Sequence, residues 1–308
     1  MVFTSIDLSL APSNQTNILD NGGFEIWQRG TSFTNPANST VPTADRWYPY
    51  KNVSGAPTAN ISQSSSVVVS GLYSLEISIS AIGTSSFEYI AQDIEVYQAY
   101  AGKTITLSVR VNTTLANVAA GIQDSAGTLY SSVHPGDGIY HTLTVTKTIS
   151  SSTTFLTIII GCTSIVATGN IYIDSAMLVT GANAGTFVSL HPAIDLVRCQ
   201  RYYEAQHFPE TVVPVLKPAS GGGNAIWQFV PFQVQKRVAP TVTSTLVSVV
   251  ISAVGGQTGG DSADTGAWSM SGSAQSFVGG ASVELTRATD GGLASALIEF
   301  TWTASADV

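Results

Sequence analysis

Side chains that can hold a sugar are concentrated near the N-terminus of this 308-residue chain. Four aromatic side chains there have flat rings that can stack on sugar rings: Trp27, Trp47, Tyr48 and Tyr50. Asp45 lies among them in the sequence, and its carboxylate can accept hydrogen bonds from sugar hydroxyls. This grouping predicts a glycan-binding site at Trp27, Trp47, Tyr48 and Asp45.

The same residue types also have a structural interpretation. Tryptophans of a small β-sandwich commonly pack in its core. The neighbouring residues Asp45 and Arg46 can form an ion pair that fixes a loop. Both alternatives stay open at the level of the sequence.

Signatures of common catalytic sites are missing from the chain. Its histidines show no metal-ligand spacing, it has no G-x-S-x-G elbow, and no phosphate-binding glycine loop precedes a helix. A glycosidase needs two carboxylates held roughly 5 to 10 Å apart on a rigid frame, and no such pair stands out. The sequence therefore predicts a protein that is not an enzyme.

Composition indicates an all-β protein that does not bind nucleic acid. Charged residues make up 10% of the chain, against roughly 25% in an average globular protein. Ser, Thr, Gly, Ala and Val take their place, which is typical of strands with one apolar face. The net charge of -8 leaves no excess of Lys and Arg to replace phosphate counterions.

No segment has the length of a membrane span. The longest apolar stretches, 155–160 and 246–254, fall far short of the roughly 20 residues that cross a bilayer. The N-terminus has no Lys or Arg ahead of an apolar run, so we expect no signal peptide and assembly in a cytoplasm. In that compartment, Cys162 and Cys199 are expected to be free thiols.

Alternation of apolar and polar residues predicts many strands in the first part of the chain. In 104–111 the apolar residues Ile105, Leu107, Val109 and Val111 alternate with polar ones, as a strand with one wet face requires. Similar segments lie at 73–80, 87–95, 118–123, 140–148, 154–160 and 170–178. This pattern predicts an antiparallel sandwich or jelly roll.

A short helix and a second group of strands follow. The run 190–204 has Pro192 where a first helical turn accepts it, and its apolar residues have helical spacing. Further strands are predicted at 226–232, 241–253, 275–285 and 293–303. Residues 1–16 alternate too but are too few to form a core, so they form either an arm on a neighbouring protein or a disordered terminus.

Five segments carry a resemblance to a known group of proteins. The segments NILDNGGFEIWQRGT (17–31), ADRW (44–47) and IYIDSAML (171–178) resemble the jelly-roll, carbohydrate-binding-module-like domain of bacteriophage fibre and virion proteins. The segments RCQRYY (198–203) and 230–243 are similar to the small β-domain that follows it in such proteins. The resemblance covers nearly the whole chain after residue 16.

This resemblance implies a domain organisation and a role. We expect an N-terminal arm (1–16), a jelly-roll domain (17–182), a linker with a short helix (183–206) and a C-terminal β-domain (207–308). The implied role is that of a structural virion protein, a short trimeric fibre or decoration protein on a tail or a head, whose arm docks on other virion proteins and which contacts host-surface glycans. The alternative is a secreted or accessory polysaccharide-binding module.

The resemblance also implies a metal site. Carbohydrate-binding modules of this shape commonly hold a structural calcium ion between the opening segment and the closing strand. Glu25 and Asp174 are the matching residues here, and two carboxylates with backbone carbonyls can supply the six to eight oxygens that calcium takes. The alternative is that both are ordinary hydrogen-bonded or solvated acids.

Overall fold

Antiparallel β-strands make up almost all of the regular secondary structure of the computed structural model. It describes residues 16–38, 41–51, 55–84, 87–214, 224–253, 269–271, 276–277, 280–287 and 293–307. The predicted all-β class is confirmed, and the predicted helix is present as α1 (Pro192–Gln200). The chain divides into two compact units, Met1–Leu196 and Val197–Val308. The predicted arm lies outside the described residues except for Thr16.

The first unit is a sandwich of two antiparallel sheets. Its strands are β1 (Ser32–Phe33), β2 (Tyr48–Lys51), β3 (Thr58–Ser64), β4 (Ser74–Ala81), β5 (Glu88–Asp93), β6 (Thr104–Thr113), β7 (Val118–Asp124), β8 (Gly127–Tyr130), β9 (Tyr140–Thr148), β10 (Leu156–Cys162) and β11 (Gly169–Thr180). One sheet has six strands in the order β1-β3-β4-β11-β6-β9, and the other has five in the order β2-β5-β10-β7-β8.

The core lies between these sheets and follows from the alternation in the sequence. On β6 the side chains of Leu107 and Val109 are fully buried, whereas those of Ser108 and Arg110 lie on the outer face. Ile158 and Ile160 of β10 are buried in the same core. Burying one such aliphatic side chain contributes roughly 1.5 to 3 kcal/mol, so the inward rows of the two sheets hold the sandwich together.

The opening segment closes the sandwich against β11. The backbone N–H of Ile18 donates to Leu178 at 2.9 Å, and that of Ala176 donates to Gly22 at 2.8 Å. A Cβ on Gly22 would lie 2.2 Å from the carbonyl oxygen of Ala176, so only glycine fits there. A β-bulge in β11 between Asp174 and Met177 accommodates this contact.

The second unit contains two further antiparallel sheets. Its strands are β12 (Tyr203–Pro214), β13 (Asn224–Pro231), β14 (Thr241–Ala253), β15 (Ser269–Ser271), β16 (Ser276–Phe277), β17 (Gly280–Arg287) and β18 (Leu293–Ser305). The sheet orders are β12-β18-β14 and β13-β17-β15, with β16 also pairing with β17. Phe300 and Trp302 of β18 are buried, and the ring of Trp302 lies 5.5 Å from that of Phe232.

A buried ion pair lies within the second unit. The ammonium of Lys236 lies 2.5 Å from the carboxylate of Glu204, and neither side chain has exposed surface. Lys236 also donates to the carbonyl of Gln200 at 2.6 Å, and Glu204 accepts the backbone N–H of Gln233. Both charges are therefore compensated where water is excluded.

Cys162 and Cys199 are both buried and carry thiols rather than a disulfide, as predicted. Among the described residues, none of the helices has the length and hydropathy of a membrane span.

Candidate functional site

Trp47 lies inside the sandwich. Its side chain has no exposed surface, and its ring centroid is 5.0 Å from that of Phe24. Its indole N–H donates to the carbonyl of Asn21 at 3.0 Å. The ring is thus held in the core, and neither of its faces is open to a sugar.

Asp45 is also buried and serves as an anchor for the opening segment. Its carboxylate accepts the backbone N–H of Gln28 at 3.0 Å and a second hydrogen bond from the Gln28 side-chain amide. Its neighbour Arg46 forms an ion pair with Asp20 at 3.1 Å. The carboxylate of Asp45 therefore fixes the loop rather than facing solvent.

Trp27 and Tyr48 keep exposed surface, but they lie in different places. Trp27 is half-buried, donates its indole N–H to Phe24 at 2.7 Å and stacks on Phe33 of β1 at 6.5 Å. Tyr48 lies on the outer face of the five-stranded sheet and donates its hydroxyl to Asp93 at 2.9 Å. The four residues predicted to bind glycan therefore do not form one surface.

A cluster of aromatic rings covers the outer face of the five-stranded sheet. We call it the aromatic face, and its members are Tyr48, Tyr50, Phe87, Tyr89 and Tyr130. Tyr50 stacks on Tyr89 with ring centroids 6.3 Å apart, and Tyr89 stacks on Tyr130 at 6.5 Å. Phe87 lies 5.2 Å from Tyr89 on the same side. Tyr89 is almost fully buried beneath the others, whereas Tyr130 is 40% exposed.

Small residues beneath the rings make this arrangement fit. A cross-strand row runs from Tyr48 through Ala91, Ile159 and Gly121 to Tyr130. A Cβ on Gly121 would lie 3.0 Å from the ring of Tyr130 and 2.9 Å from Ile159. Glycine therefore provides the space in which the Tyr130 ring lies flat on the sheet.

Polar groups border the aromatic face along the next cross-strand row. Asp93 accepts hydrogen bonds from the hydroxyls of Tyr48 at 2.9 Å and Thr157 at 2.6 Å. Gln123 and Thr128 continue this row on β7 and β8. Burial and then the adjacent Asp93 raise the pKa of Tyr48, so its hydroxyl stays protonated. Rings beside hydrogen-bonding groups are what a sugar with apolar faces and a polar rim requires.

Part of this face is visible in the sequence once its strands are placed. Tyr48 and Tyr50 are two residues apart on β2, and Phe87 and Tyr89 are two apart at β5, so each pair shares one side of its strand. Tyr130 could not be joined to them from local pattern, because it reaches Tyr89 only through the strand order β5-β10-β7-β8.

Glu25 and Asp174 both hold the loop 67–73 by its backbone amides. Glu25 accepts the N–H groups of Leu72 at 2.7 Å and Tyr73 at 3.2 Å. Asp174, which has no exposed surface, accepts those of Val69 at 2.7 Å and Ser70 at 3.0 Å. Burial raises the pKa of Asp174, although these hydrogen bonds oppose the rise.

This geometry matches the hydrogen-bonded alternative for the two acids. The loop directs N–H donors at both carboxylates, whereas calcium requires a shell of oxygens. Gly71 has φ +78° in this loop, and a Cβ on it would lie 2.0 Å from the Glu25 carboxylate, so the loop wraps tightly around that group. The calcium site at Glu25 and Asp174 stays a prediction.

Two histidines and an acid meet at the turn before β9. Within the described residues, the ligand atoms of His134, Asp137 and His141 lie within 4.8 Å of one another. His141 is 2.8 Å from Asp137, and this hydrogen bond lowers the pKa of the Asp137 carboxyl. His134 accepts the N–H of Gly136 with one ring nitrogen and faces the carbonyl of Val111 with the other. Both nitrogens of His134 are thus engaged, so the group is better suited to bracing the turn than to binding a metal.

Comparison with known proteins gives only distant structural similarity. No family model matches the chain, and no curated protein matches its sequence. The enzymatically active domain of tailspike protein 4 of bacteriophage CBA120 is similar over 54% of this chain and 21% of its own length, with 15% identity and a TM-score of 0.38. A family 22 carbohydrate-binding module of a Clostridium thermocellum protein is similar over 54% of this chain and all of its own, with 17% identity and a TM-score of 0.37. A cyclase from Fischerella sp. TAU has 12% identity over 53% of this chain and 96% of its own, with a TM-score of 0.36. Scores this low transfer no function to the chain.

Proposed function

We propose that the chain is a non-catalytic, saccharide-binding structural protein whose binding surface is the aromatic face. The observation that carries this proposal is the row of stacked rings from Tyr50 through Tyr89 to Tyr130 on the outside of the five-stranded sheet. This cluster is separate from the core between the sheets. A packed core explains buried rings, but it does not explain rings that are half exposed next to a polar row.

Each part of the face has a role in this proposal. The partly exposed rings of Tyr50 and Tyr130 stack on sugar rings, and the buried Tyr89 supports both from below. Asp93 and Gln123 bond sugar hydroxyls at the border. The rings are positioned by strands rather than by loops, so little conformational entropy is lost on binding.

The setting we propose is a bacteriophage virion. The sequence resemblance supports a short trimeric fibre or decoration protein, assembled in the host cytoplasm, with 17–182 as the saccharide-binding domain and 207–308 as the small β-domain. In this setting residues 1–16 dock on other virion proteins, and the aromatic face contacts host-surface glycans. The low content of charged residues, 10%, agrees with surfaces that partner subunits cover.

A glycan array tests the binding proposal. The full chain is expected to bind a defined group of polysaccharides, and binding to none of them would contradict the proposal. Light scattering tests the setting separately, because a trimer supports the fibre whereas a monomer favours the alternative of an accessory polysaccharide-binding module.

A further inference from the structure

A polar groove lies on the outer face of the other sheet, the six-stranded one. Its volume is about 560 Å³. Hydroxyl-bearing side chains line most of it, namely Ser70, Ser108, Thr142, Thr144, Ser175 and Thr186. Arg110 supplies the positive charge in this lining, and Phe187 adds an apolar ring. We call this feature the hydroxyl groove.

Arg110 is held in place by Tyr140 but has an unsatisfied hydrogen-bond donor. Its guanidinium lies 5.9 Å from the ring centroid of Tyr140, and one terminal nitrogen donates to the carbonyl of Tyr140 at 3.3 Å. Its Nε–H is buried and has no hydrogen-bond partner among the described residues. A buried hydrogen-bond donor without an acceptor destabilises the fold by roughly 1 to 3 kcal/mol, and by more when the group is charged.

Asp174 forms no ion pair with Arg110 among the described residues. Asp174 lies opposite Arg110 in the pairing of β11 with β6, but its carboxylate is directed at the amides of Val69 and Ser70 and at the hydroxyl of Ser175. The guanidinium of Arg110 is thus held in the groove by the ring of Tyr140, while the carboxylate of Asp174 accepts hydrogen bonds from other groups.

The geometry points to a second saccharide site in the hydroxyl groove, one that binds an acidic sugar through its carboxylate and Arg110. A guanidinium matches the planar geometry of a carboxylate, and the hydroxyls of the lining match those of the sugar. The groove is larger than an inorganic anion requires. The net charge of -8 also disfavours a doubly charged ligand such as phosphate over a singly charged carboxylate.

The test compares two sugars that differ only in the acidic group. Galacturonate and galactose are titrated into the full chain, and binding is followed by nuclear magnetic resonance. Galacturonate is expected to bind at least about tenfold more tightly, since hydrogen bonds to charged groups are the stronger ones. Equal binding, binding of neither sugar, or tighter binding of inorganic phosphate would overturn the inference.

Variants assign the effect to Arg110. Arg110→Gln is expected to remove the preference for galacturonate, and Arg110→Lys to restore part of it. Lys103→Gln removes a positive charge from an exposed residue outside the groove and should leave the preference unchanged. If Arg110→Gln fails to fold, Thr144→Val removes one hydroxyl of the groove and should weaken galacturonate binding. Unchanged binding in the groove variants would overturn the inference.

The aromatic face provides the remaining control. Tyr130→Ala alters that face on the opposite sheet and should leave galacturonate binding intact. If Tyr130→Ala removes galacturonate binding instead, the acidic sugar binds at the aromatic face. The groove inference then fails while the proposed function stands.

Discussion

Glu88 is expected to make the stability of the protein fall with rising pH. The carboxylate of Glu88 is buried at the start of β5, and both of its oxygens are without a hydrogen-bond partner among the described residues. Lys51 is its nearest cation at 3.9 Å, which is beyond hydrogen-bond distance, and the Lys51 ammonium donates to Asn35 instead. Burial therefore dominates over Lys51 and raises the pKa of Glu88 to about 8.

The size of the effect follows from the two pKa values. In the unfolded chain Glu88 loses its proton near its ordinary value of 4.5, whereas in the folded chain it keeps the proton up to about pH 8. The neutral carboxyl therefore stabilises the fold fully below pH 4.5, and this contribution is lost as pH rises through 8. At about 1.4 kcal/mol per pH unit, the free energy of unfolding is expected to drop by about 4 kcal/mol between pH 5 and pH 8.

Urea unfolding of the wild type and Glu88→Gln at several pH values measures this drop. The glutamine is neutral throughout, so the variant is expected to lack the Glu88 contribution to the pH dependence and to be the more stable protein at pH 8. Glu76→Gln is the matched control, because Glu76 is a half-buried glutamate on β4, a strand of the other sheet. If Glu88→Gln keeps the pH slope of the wild type, Glu88 does not titrate in this range and the reasoning fails.

Three further predictions concern other parts of the structure. Lys236→Met leaves Glu204 charged and buried, so urea unfolding should show a loss of about 3 to 5 kcal/mol that a second change, Glu204→Leu, largely restores; a loss below 1 kcal/mol would contradict this. Gly121→Ala places a Cβ 3.0 Å from the ring of Tyr130, and calorimetry should show weaker saccharide binding together with about 1 to 3 kcal/mol of lost stability. If calcium binds at Glu25 and Asp174, EDTA should lower the thermal midpoint, and Glu25→Gln should remove this effect of EDTA. An unchanged midpoint with EDTA would show that the two carboxylates only accept hydrogen bonds from backbone amides.

Local pattern predicts the strands well and the site poorly, for physical reasons. The alternation around Leu107 locates β6 because a strand with one wet face needs side chains of period two. The contact of Gly22 with the carbonyl oxygen of Ala176 explains why glycine occupies that position. These features depend on neighbours in sequence or on steric rules for a single residue.

The candidate site depends on contacts between distant parts of the chain. Trp47 and Asp45 have the residue types of a sugar site. A tryptophan ring can equally pack in a core, and a carboxylate can equally anchor a loop. Only the burial of both side chains in the folded protein decides between these roles. Tyr89 on β5 and Tyr130 on β8 meet across β10 and β7, the two strands that lie between them in the sheet. Neither the strand order nor this contact can be read from local sequence. Likewise, Asp174 lies opposite Arg110 only because β11 pairs with β6, which is distant from it in sequence.

The most direct test of the central claim is a titration of the best array glycan into the wild type and three variants. Tyr50→Ala and Tyr130→Ala each remove a ring from the aromatic face and should lower the affinity by about three- to tenfold, the equivalent of one aromatic contact. Tyr172→Ala removes a ring from the outer face of the six-stranded sheet and should leave the affinity unchanged. Equal affinity in all four proteins, with their folds intact, would show that the aromatic face does not bind the glycan.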